Sequence, residues 1–131
     1  MVRFGIIGTN FITERMLAAS KFCPEFTLDT VYSRSAEKAR AFAEKWGAPH
    51  WTDSLEALAA SESVDAVYIA SPNALHCEQT LLMLRGGKHV LCEKPIARCA
   101  VELETMLSAA QERGLVLLQA MRSAFLPTSP C

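Results

Sequence analysis

The chain has 131 residues, of which 50% are hydrophobic and 21% are charged, and its formal net charge is only -1. A chain of this length fits one domain with a hydrophobic core, and this composition excludes both intrinsic disorder and a basic surface for nucleic acid. The apolar run at the start of the chain is too short for a signal peptide, and no stretch approaches the roughly 20 apolar residues of a membrane span. We therefore expect a soluble, cytoplasmic domain without a nucleic-acid or membrane partner.

The cysteines and histidines form neither a disulfide pattern nor a metal-binding pattern. The five cysteines include no C-x-x-C pair, and their odd number fits poorly with a disulfide framework, so we expect reduced thiols. His50 and His89 are far apart in sequence, and no histidine stands with cysteines or carboxylates at ligand spacing. We therefore predict no metal site.

Strand and helix signals alternate along the chain. Short apolar runs, mostly rich in branched residues, predict strands at residues 2–7, 28–32, 50–51, 64–70, 89–92 and 115–119. Apolar residues at helical spacing predict helices at 11–23, between Ser35 and Gly47, and at 55–60, 75–84 and 100–113. Ser35 is a suitable N-cap, Gly47 is a suitable C-terminal stop, and either Asp53 or Ser54 can cap the helix at 55–60.

This alternation predicts a doubly wound α/β fold, in which a mainly parallel sheet lies between two layers of helices and the crossovers are right-handed. We expect a single domain over residues 1–122. In such a fold, ligands bind at the carboxyl ends of the strands. The segments that follow the strands are therefore the candidate site: Gly8, Thr9, Asn10, Phe11 and Ile12; Ser33 and Arg34; Ser71, Pro72 and Asn73 with His76; and Glu93, Lys94 and Pro95.

The first of these loops suits a pyrophosphate. Gly8 ends a strand and a helix opens a few residues later, so free backbone N–H groups and the positive helix end would face the phosphates. The spacing is a partial G-x-G-x-x-G, in which Asn10 and Thr13 stand at the second and third glycine positions. Asn tolerates a left-handed backbone, so the loop can keep its shape. The alternative is a tight turn between strand and helix without a ligand.

The second loop favours NADP over NAD. An NAD site usually has Asp or Glu after the second strand to hold the ribose hydroxyls, whereas this chain has Ser33 and Arg34. Arg34 can form a forked contact with a 2′-phosphate, Ser33 can donate a hydrogen bond, and Lys38 adds charge one helical turn further on. The alternative is a solvated arginine at the start of a helix.

The loop at Glu93 and Lys94 is the candidate catalytic segment. A half-buried lysine there could hydrogen-bond a substrate hydroxyl and, with its pKa lowered by desolvation, help to move the hydroxyl proton while hydride goes to a nicotinamide. Glu93 could orient or balance Lys94. The alternative is an exposed turn. His76, in the first turn of its helix, is either a cofactor-pocket residue or a capping and packing residue.

Four blocks of sequence occur in the order typical of one enzyme family. They are FGIIGT at 4–9, VYSR at 31–34, VDAVYIASPN at 64–73 followed by His76, and GKHVLCEKPIA at 87–97. On these blocks the chain resembles the glucose-fructose oxidoreductase and inositol dehydrogenase superfamily over nearly all of residues 2–122. The resemblance implies a Rossmann-like NAD(P)-binding domain of an oxidoreductase that transfers hydride between NADP and a sugar, polyol or related hydroxyl compound.

The resemblance also implies a role for each loop. The first loop would bind pyrophosphate, Ser33 and Arg34 would bind the phosphate at the adenosine end, and residues 71–73 with His76 would flank the cofactor. Glu93 and Lys94 would lie near the nicotinamide and the substrate, with Lys94 as the catalytic residue.

Members of this family carry a second α/β domain, which supplies an acid-base residue, most of the substrate pocket and commonly the oligomer interface. We expect residues 123–131 to begin the crossover toward such a domain, and the chain to be a fragment or a truncated gene product. The apolar surface left uncovered would favour homo-oligomers. The alternative function is a non-catalytic dinucleotide-binding module. An S-adenosylmethionine-dependent methyltransferase is disfavoured, because its ribose requires an acid where Ser33 and Arg34 stand.

Overall fold

The computed structural model describes residues 2–8, 26–71, 75–93, 97 and 99–120. Its strands are β1 (Val2–Ile7), β2 (Phe26–Tyr32), β3 (His50–Thr52), β4 (Ala66–Ile69), β5 (His89–Glu93) and β6 (Leu117–Ala120). Its helices are α1 (Ala36–Trp46), α2 (Leu55–Ala60), α3 (His76–Arg85) and α4 (Ala100–Glu112), and within the described ranges no helix has the length and apolar character to cross a membrane. The predicted helix at 11–23 and the predicted crossover at 123–131 lie outside the described residues.

The strands form one parallel sheet in the order β3-β2-β1-β4-β5-β6. The chain winds outward from β1 through β2 to β3, and then returns past β1 to build β4, β5 and β6 on the other side. This reversal is the defining feature of a doubly wound sheet, so the fold prediction is confirmed. In doubly wound sheets, such a reversal opens a crevice at the carboxyl ends of the strands.

Neighbouring residues of the central strands point to opposite faces of the sheet, and each face has its own core. Ile6 of β1 packs with Phe42 of α1 on one face. Ile7 belongs to the core of the other face, with Met83 of α3 and Met106 of α4. Burying both faces explains why the central strands are continuous apolar runs rather than alternating ones. The prediction of three α/β/α layers is confirmed.

Helix ends follow the local sequence closely. The Ser35 hydroxyl accepts a hydrogen bond of 3.4 Å from the backbone N–H three residues further on, and Gly47 ends α1 with a φ of 76°. For α2 the cap is Ser54 rather than Asp53, since the Ser54 hydroxyl accepts from the backbone N–H three residues later at 3.2 Å. Both signals are local, which is why the sequence alone predicts them.

Strand ends differ from the predictions by a residue or two. β2 begins at Phe26 rather than at residue 28, and β4 covers Ala66–Ile69 rather than residues 64–70. The ladder between β1 and β4 pairs only the residues from Ala66 to Ile69. Strand bounds are set by this pairing and not by the extent of the apolar run.

The cysteines follow the prediction only in part. Cys77 and Cys92 form no disulfide, and burial raises the pKa of Cys92 to about 12. Cys99 is disulfide-bonded, so the prediction that all five cysteines are reduced is wrong for this residue. An odd count and the lack of a C-x-x-C pair do not prevent cysteines that are distant in sequence from meeting in the fold.

Candidate dinucleotide site

A crevice of about 490 Å³ lies at the carboxyl ends of β1, β2 and β4. Because β1 lies between β2 and β4 in the sheet, the crevice sits where the strand order reverses, the place where doubly wound sheets bind ligands. It is lined on the β2 side by Tyr32, Ser33, Arg34, Ser35 and Lys38, at its floor by Ile7 and Gly8, and on the β4 side by Ala70, Ser71, Leu75 and Gln79.

The floor of the crevice requires a glycine. Gly8 has a φ of 109°, a conformation that L side chains rarely adopt. A Cβ at this position would also lie 2.9 Å from the carbonyl oxygen of Ala70. That approach is close because the chain after β1 runs beside the chain after β4, where the Ala70 N–H donates to the Ile7 carbonyl at 2.9 Å. The first glycine of the partial G-x-G-x-x-G therefore brings the two backbones together at the crevice.

The β2 side of the crevice presents two cations on a fixed turn. The Ser33 N–H donates to the Thr52 carbonyl at 3.2 Å, and the Ser33 hydroxyl accepts from the Ser35 N–H at 3.3 Å. These bonds hold the turn that carries Arg34, and Lys38 follows in the first turn of α1. Both cationic side chains are exposed, and among the described residues no carboxylate forms an ion pair with either. This wall therefore presents positive charge to the crevice.

The β4 side of the crevice is held by the first turns of α3. His76 is buried, and its Nε2 donates to the Ser71 carbonyl at 2.7 Å. The Ser71 hydroxyl donates to the Gln79 side-chain oxygen, one turn further along α3. The packing role considered for His76 fits this geometry, because His76 positions Ser71 and does not itself line the crevice.

Glu93 stands at the carboxyl end of β5, on the far side of β4 from the cationic wall. The Tyr68 hydroxyl, from β4, donates to the Glu93 carboxylate. Burial and this hydrogen bond to Glu93 raise the pKa of Tyr68 above its ordinary value, so Tyr68 is a neutral donor at physiological pH. The carboxylate is thereby fixed at the point where the chain leaves the sheet.

The structure brings together five of the residues predicted from sequence: Gly8, Ser33, Arg34, Lys38 and Ser71. His76 is buried outside the crevice lining and hydrogen-bonds Ser71, which lines it. Glu93 lies at the end of β5, the strand next to β4. The other predicted residues, Thr9, Asn10, Phe11, Ile12, Pro72, Asn73 and Lys94, lie outside the described residues. Within the described ranges, no three His, Cys, Asp or Glu side chains cluster as metal ligands would.

Sequence reasoning missed Gln79, Leu75 and Tyr68. Gln79 follows His76 by three residues, so helical spacing already places the two on one face of α3. That spacing was the available signal for Gln79. The contact of Tyr68 with Glu93 depends on the pairing of β4 with β5 and had no local signal.

Together these features define a class. A parallel, doubly wound sheet with a glycine at the end of its first strand and a crevice at its switch point is a dinucleotide-binding domain of the Rossmann type. The chain belongs to the oxidoreductase family with an NAD-binding Rossmann fold, whose family model matches residues 2–121. The family predicted from the four sequence blocks is thus confirmed.

Several relatives have known activities. The chain is 55% identical over 127 residues to a scyllo-inositol 2-dehydrogenase (NADP(+)) of Bacillus subtilis, a match that covers 97% of this chain and 39% of that protein. It is 39% identical over 117 residues to a 1,5-anhydro-D-fructose reductase of Ensifer adhaerens, with 89% of this chain and 35% of that protein covered. A 3-ketoreductase from Actinomadura kijaniata, solved in complex with NADP and TDP-benzene, matches with a TM-score of 0.86 and 36% identity over 90% of this chain and 36% of that one. The chain thus spans at most 39% of the length of these relatives.

Proposed function

We propose that this chain is the cofactor-binding domain of an NADP-dependent oxidoreductase that moves hydride between NADP and a sugar, polyol or related hydroxyl compound. Family membership supports dinucleotide redox chemistry. The inositol dehydrogenase and the anhydrofructose reductase described above support the substrate class.

The charge of the turn after β2 supports NADP over NAD as the cofactor. The turn after β2 presents Arg34 and Lys38 to the crevice, and the described lining contains no carboxylate. A carboxylate there would bind ribose hydroxyls and repel a 2′-phosphate, whereas a guanidinium can form a forked, charge-assisted contact with that phosphate. We infer that Arg34 and Lys38 hold the 2′-phosphate and that Ser33 contributes a hydrogen bond.

The floor of the crevice fits the rest of the cofactor. Gly8 lies at this floor without a side chain, and its backbone passes close to the Ala70 carbonyl. We propose that Thr9, Asn10, Phe11 and Ile12 continue this floor around the pyrophosphate, and that Pro72 and Asn73 extend the opposite wall.

The chemical step would take place beside the end of β5. When bound there, NADP+ would accept a hydride from the hydroxyl compound, and NADPH would supply a hydride in the reverse direction. We propose that Lys94, which directly follows Glu93 in sequence, moves the proton at the substrate oxygen. The Glu93 carboxylate, which Tyr68 holds in place, would balance the charge of the Lys94 ammonium. Glu93 lies on the other side of β4 from Arg34, and this separation supports the assignment of the two places to the two ends of one dinucleotide.

A titration of the purified chain tests the cofactor. We expect calorimetry to give tighter binding of NADP than of NAD, and Arg34→Ala to weaken NADP binding roughly 10-fold to 100-fold, the effect of losing a charge-assisted contact. NAD binding should change little, because NAD lacks the 2′-phosphate. The thermal midpoint should also stay close to that of the parent chain, since Arg34 is exposed.

Arg40→Ala is the matched control. Arg40 lies on the same helix as Lys38, and its guanidinium forms an exposed ion pair with Glu44 at 3.3 Å rather than lining the crevice. This variant should bind NADP like the parent chain. Equal losses for NADP and NAD in Arg34→Ala would contradict the assignment of the 2′-phosphate. Binding without turnover of any sugar or polyol would instead favour the non-catalytic module.

We also propose that the chain self-associates and that it works in the cytoplasm. Val116 and Leu118, at the edge strand β6, and Leu107 on α4 expose apolar side chains. Surfaces of this kind favour association. Cys92 forms no disulfide, as expected in a reducing compartment, whereas the disulfide of Cys99 argues against one. Light scattering that gives a monomer at every concentration would rule out self-association.

A further inference from the structure

Gln79 occupies an unusual place for a polar side chain. It lines the crevice on the β4 side, yet it is only 5% exposed. A buried amide normally has partners for both its oxygen and its nitrogen. The Gln79 oxygen accepts a hydrogen bond from the Ser71 hydroxyl. Within the described residues, the Gln79 nitrogen has no protein acceptor, and it is not one of the enclosed side-chain atoms left without a partner, so it stays accessible from the crevice.

The orientation of this amide is fixed by its surroundings. Ser71 donates to the oxygen, which directs the NH2 group away from Ser71. Ser71 is itself held by His76, whose Nε2 donates to the Ser71 carbonyl at 2.7 Å. An amide nitrogen that lines a crevice and lacks a protein acceptor is suited to meet an acceptor on a ligand.

The chemistry of the cofactor identifies that acceptor. The 2′-phosphate proposed to meet Arg34 is attached to the same ribose as the adenine base, so the base must lie within the same crevice. Arg34 and Lys38 occupy the β2 side, and the β4 side offers Leu75 and, one helical turn later, Gln79. An adenine ring has apolar faces and an edge with ring nitrogens that accept hydrogen bonds. Leu75 is suited to pack against a face of the ring, and the Gln79 amide is suited to hydrogen-bond its edge.

We propose that Gln79 recognises the adenine base of the cofactor by donating a hydrogen bond from its side-chain nitrogen to a ring nitrogen of the base. This inference rests on the proposed function, because it needs a bound dinucleotide. Ser71 is then a positioning residue, which acts by fixing the orientation of the Gln79 amide.

The test uses two ligands that differ only in the base, adenosine 2′,5′-bisphosphate and uridine 2′,5′-bisphosphate. Gln79→Met keeps the length of the side chain but removes the donor. We expect this variant to bind the adenosine ligand about 10-fold more weakly and the uridine ligand within about twofold of the parent chain, since one hydrogen bond to the base is lost. NADP and NAD should weaken by the same factor, because both contain adenine.

Two further variants make the result interpretable. Gln111→Met makes the same chemical change at an exposed position of α4 and should leave all affinities unchanged. Ser71→Ala keeps the Gln79 amide but frees it to rotate, and should cause a smaller loss that is again confined to the adenosine ligand. It also serves as the test if Gln79→Met does not fold, which circular dichroism reports.

Equal loss for the adenosine and uridine ligands, or no loss for either, would overturn the role of Gln79. A folded parent chain that binds none of the four ligands would instead overturn the proposed function. The two failures are therefore distinguishable.

Discussion

Charged side chains at the two ends of the parallel strands differ in whether they have partners within the protein. At the amino ends, charged side chains are paired within the protein: Arg3 forms an ion pair with Asp65 at 3.1 Å, and the Lys88 ammonium donates to the Ser61 carbonyl. At the carboxyl ends, Arg34 is exposed and has no ion pair among the described residues. The charges of Arg3, Asp65 and Lys88 at the amino edge have partners within the fold, whereas the cationic turn at Arg34 is left exposed.

Asp29 is the clearest example at the amino edge. The register between β1 and β2 shifts after Phe4, which pairs with Leu28, while the next residue of β1 pairs with Thr30. Asp29 is therefore the extra residue of a β-bulge, a feature that re-aims a side chain. Its carboxylate accepts hydrogen bonds from the hydroxyls of Thr30 at 2.7 Å and Ser63 at 2.8 Å. The bulge thus ties β2 to the loop that precedes β4.

The largest effect is expected from Asp29→Ala. The carboxylate is buried, and its removal leaves the Thr30 and Ser63 hydroxyls without their acceptor, which should cost about 2–3 kcal/mol of unfolding free energy. Urea unfolding measures this loss. The affinity for NADP should not change, because Asp29 lies away from the crevice.

Asp53→Ala provides the comparison for that variant. Asp53 is exposed, so the same chemical change should alter stability by no more than about 0.5 kcal/mol. Arg34→Ala should give the reverse pattern, with weakened NADP binding and nearly unchanged stability. Asp29→Ala could also weaken NADP binding by a free energy comparable to its loss of unfolding free energy. That result would contradict the proposal that the amino edge serves stability and the carboxyl edge serves binding.

Much of the fold was predictable because its signals are local. Ser35 and Gly47 mark the two ends of α1 through their own backbone preferences, and the alternation of strands and helices implies a parallel sheet with its ligand edge at the strand ends. That rule alone placed Gly8, Ser33 and Arg34 on one edge, and the structure brings them into one crevice.

The remainder depends on contacts between residues that are distant in sequence. The bulge at Asp29 is a property of strand register, which no single strand specifies. Gln79 meets Ser71, which follows β4 in the chain, only when α3 packs beside that strand. The bond between Tyr68 and Glu93 likewise needs β4 and β5 to pair first. Patterns within single helices or strands cannot predict such pairs.

The smallest effect is expected at the ion pair of Arg3 and Asp65. Hydrogen bonds from the Arg3 side chain and backbone lower the pKa of Asp65 from 3.8 to about 2. Because the folded state favours the ionised carboxylate, the stabilisation is fully present above about pH 4 and is lost as the pH falls toward about 2. Asp65→Asn removes this pH dependence. The thermal midpoint of the parent chain should therefore exceed that of the variant near neutral pH, and the gap should close in acid.

The gap should also be small, because both side chains are about two-fifths exposed and water and salt screen the pair. Thermal unfolding at about pH 6 and about pH 2, each at low salt and at roughly 1 M salt, measures both dependences. A gap that persists unchanged in acid would mean that the carboxylate charge does not contribute, and that Asp65 acts through neutral hydrogen bonds alone. A gap that closes in acid and narrows in salt would mean that even the exposed charges of the amino edge contribute to holding the fold, unlike Arg34 at the other edge.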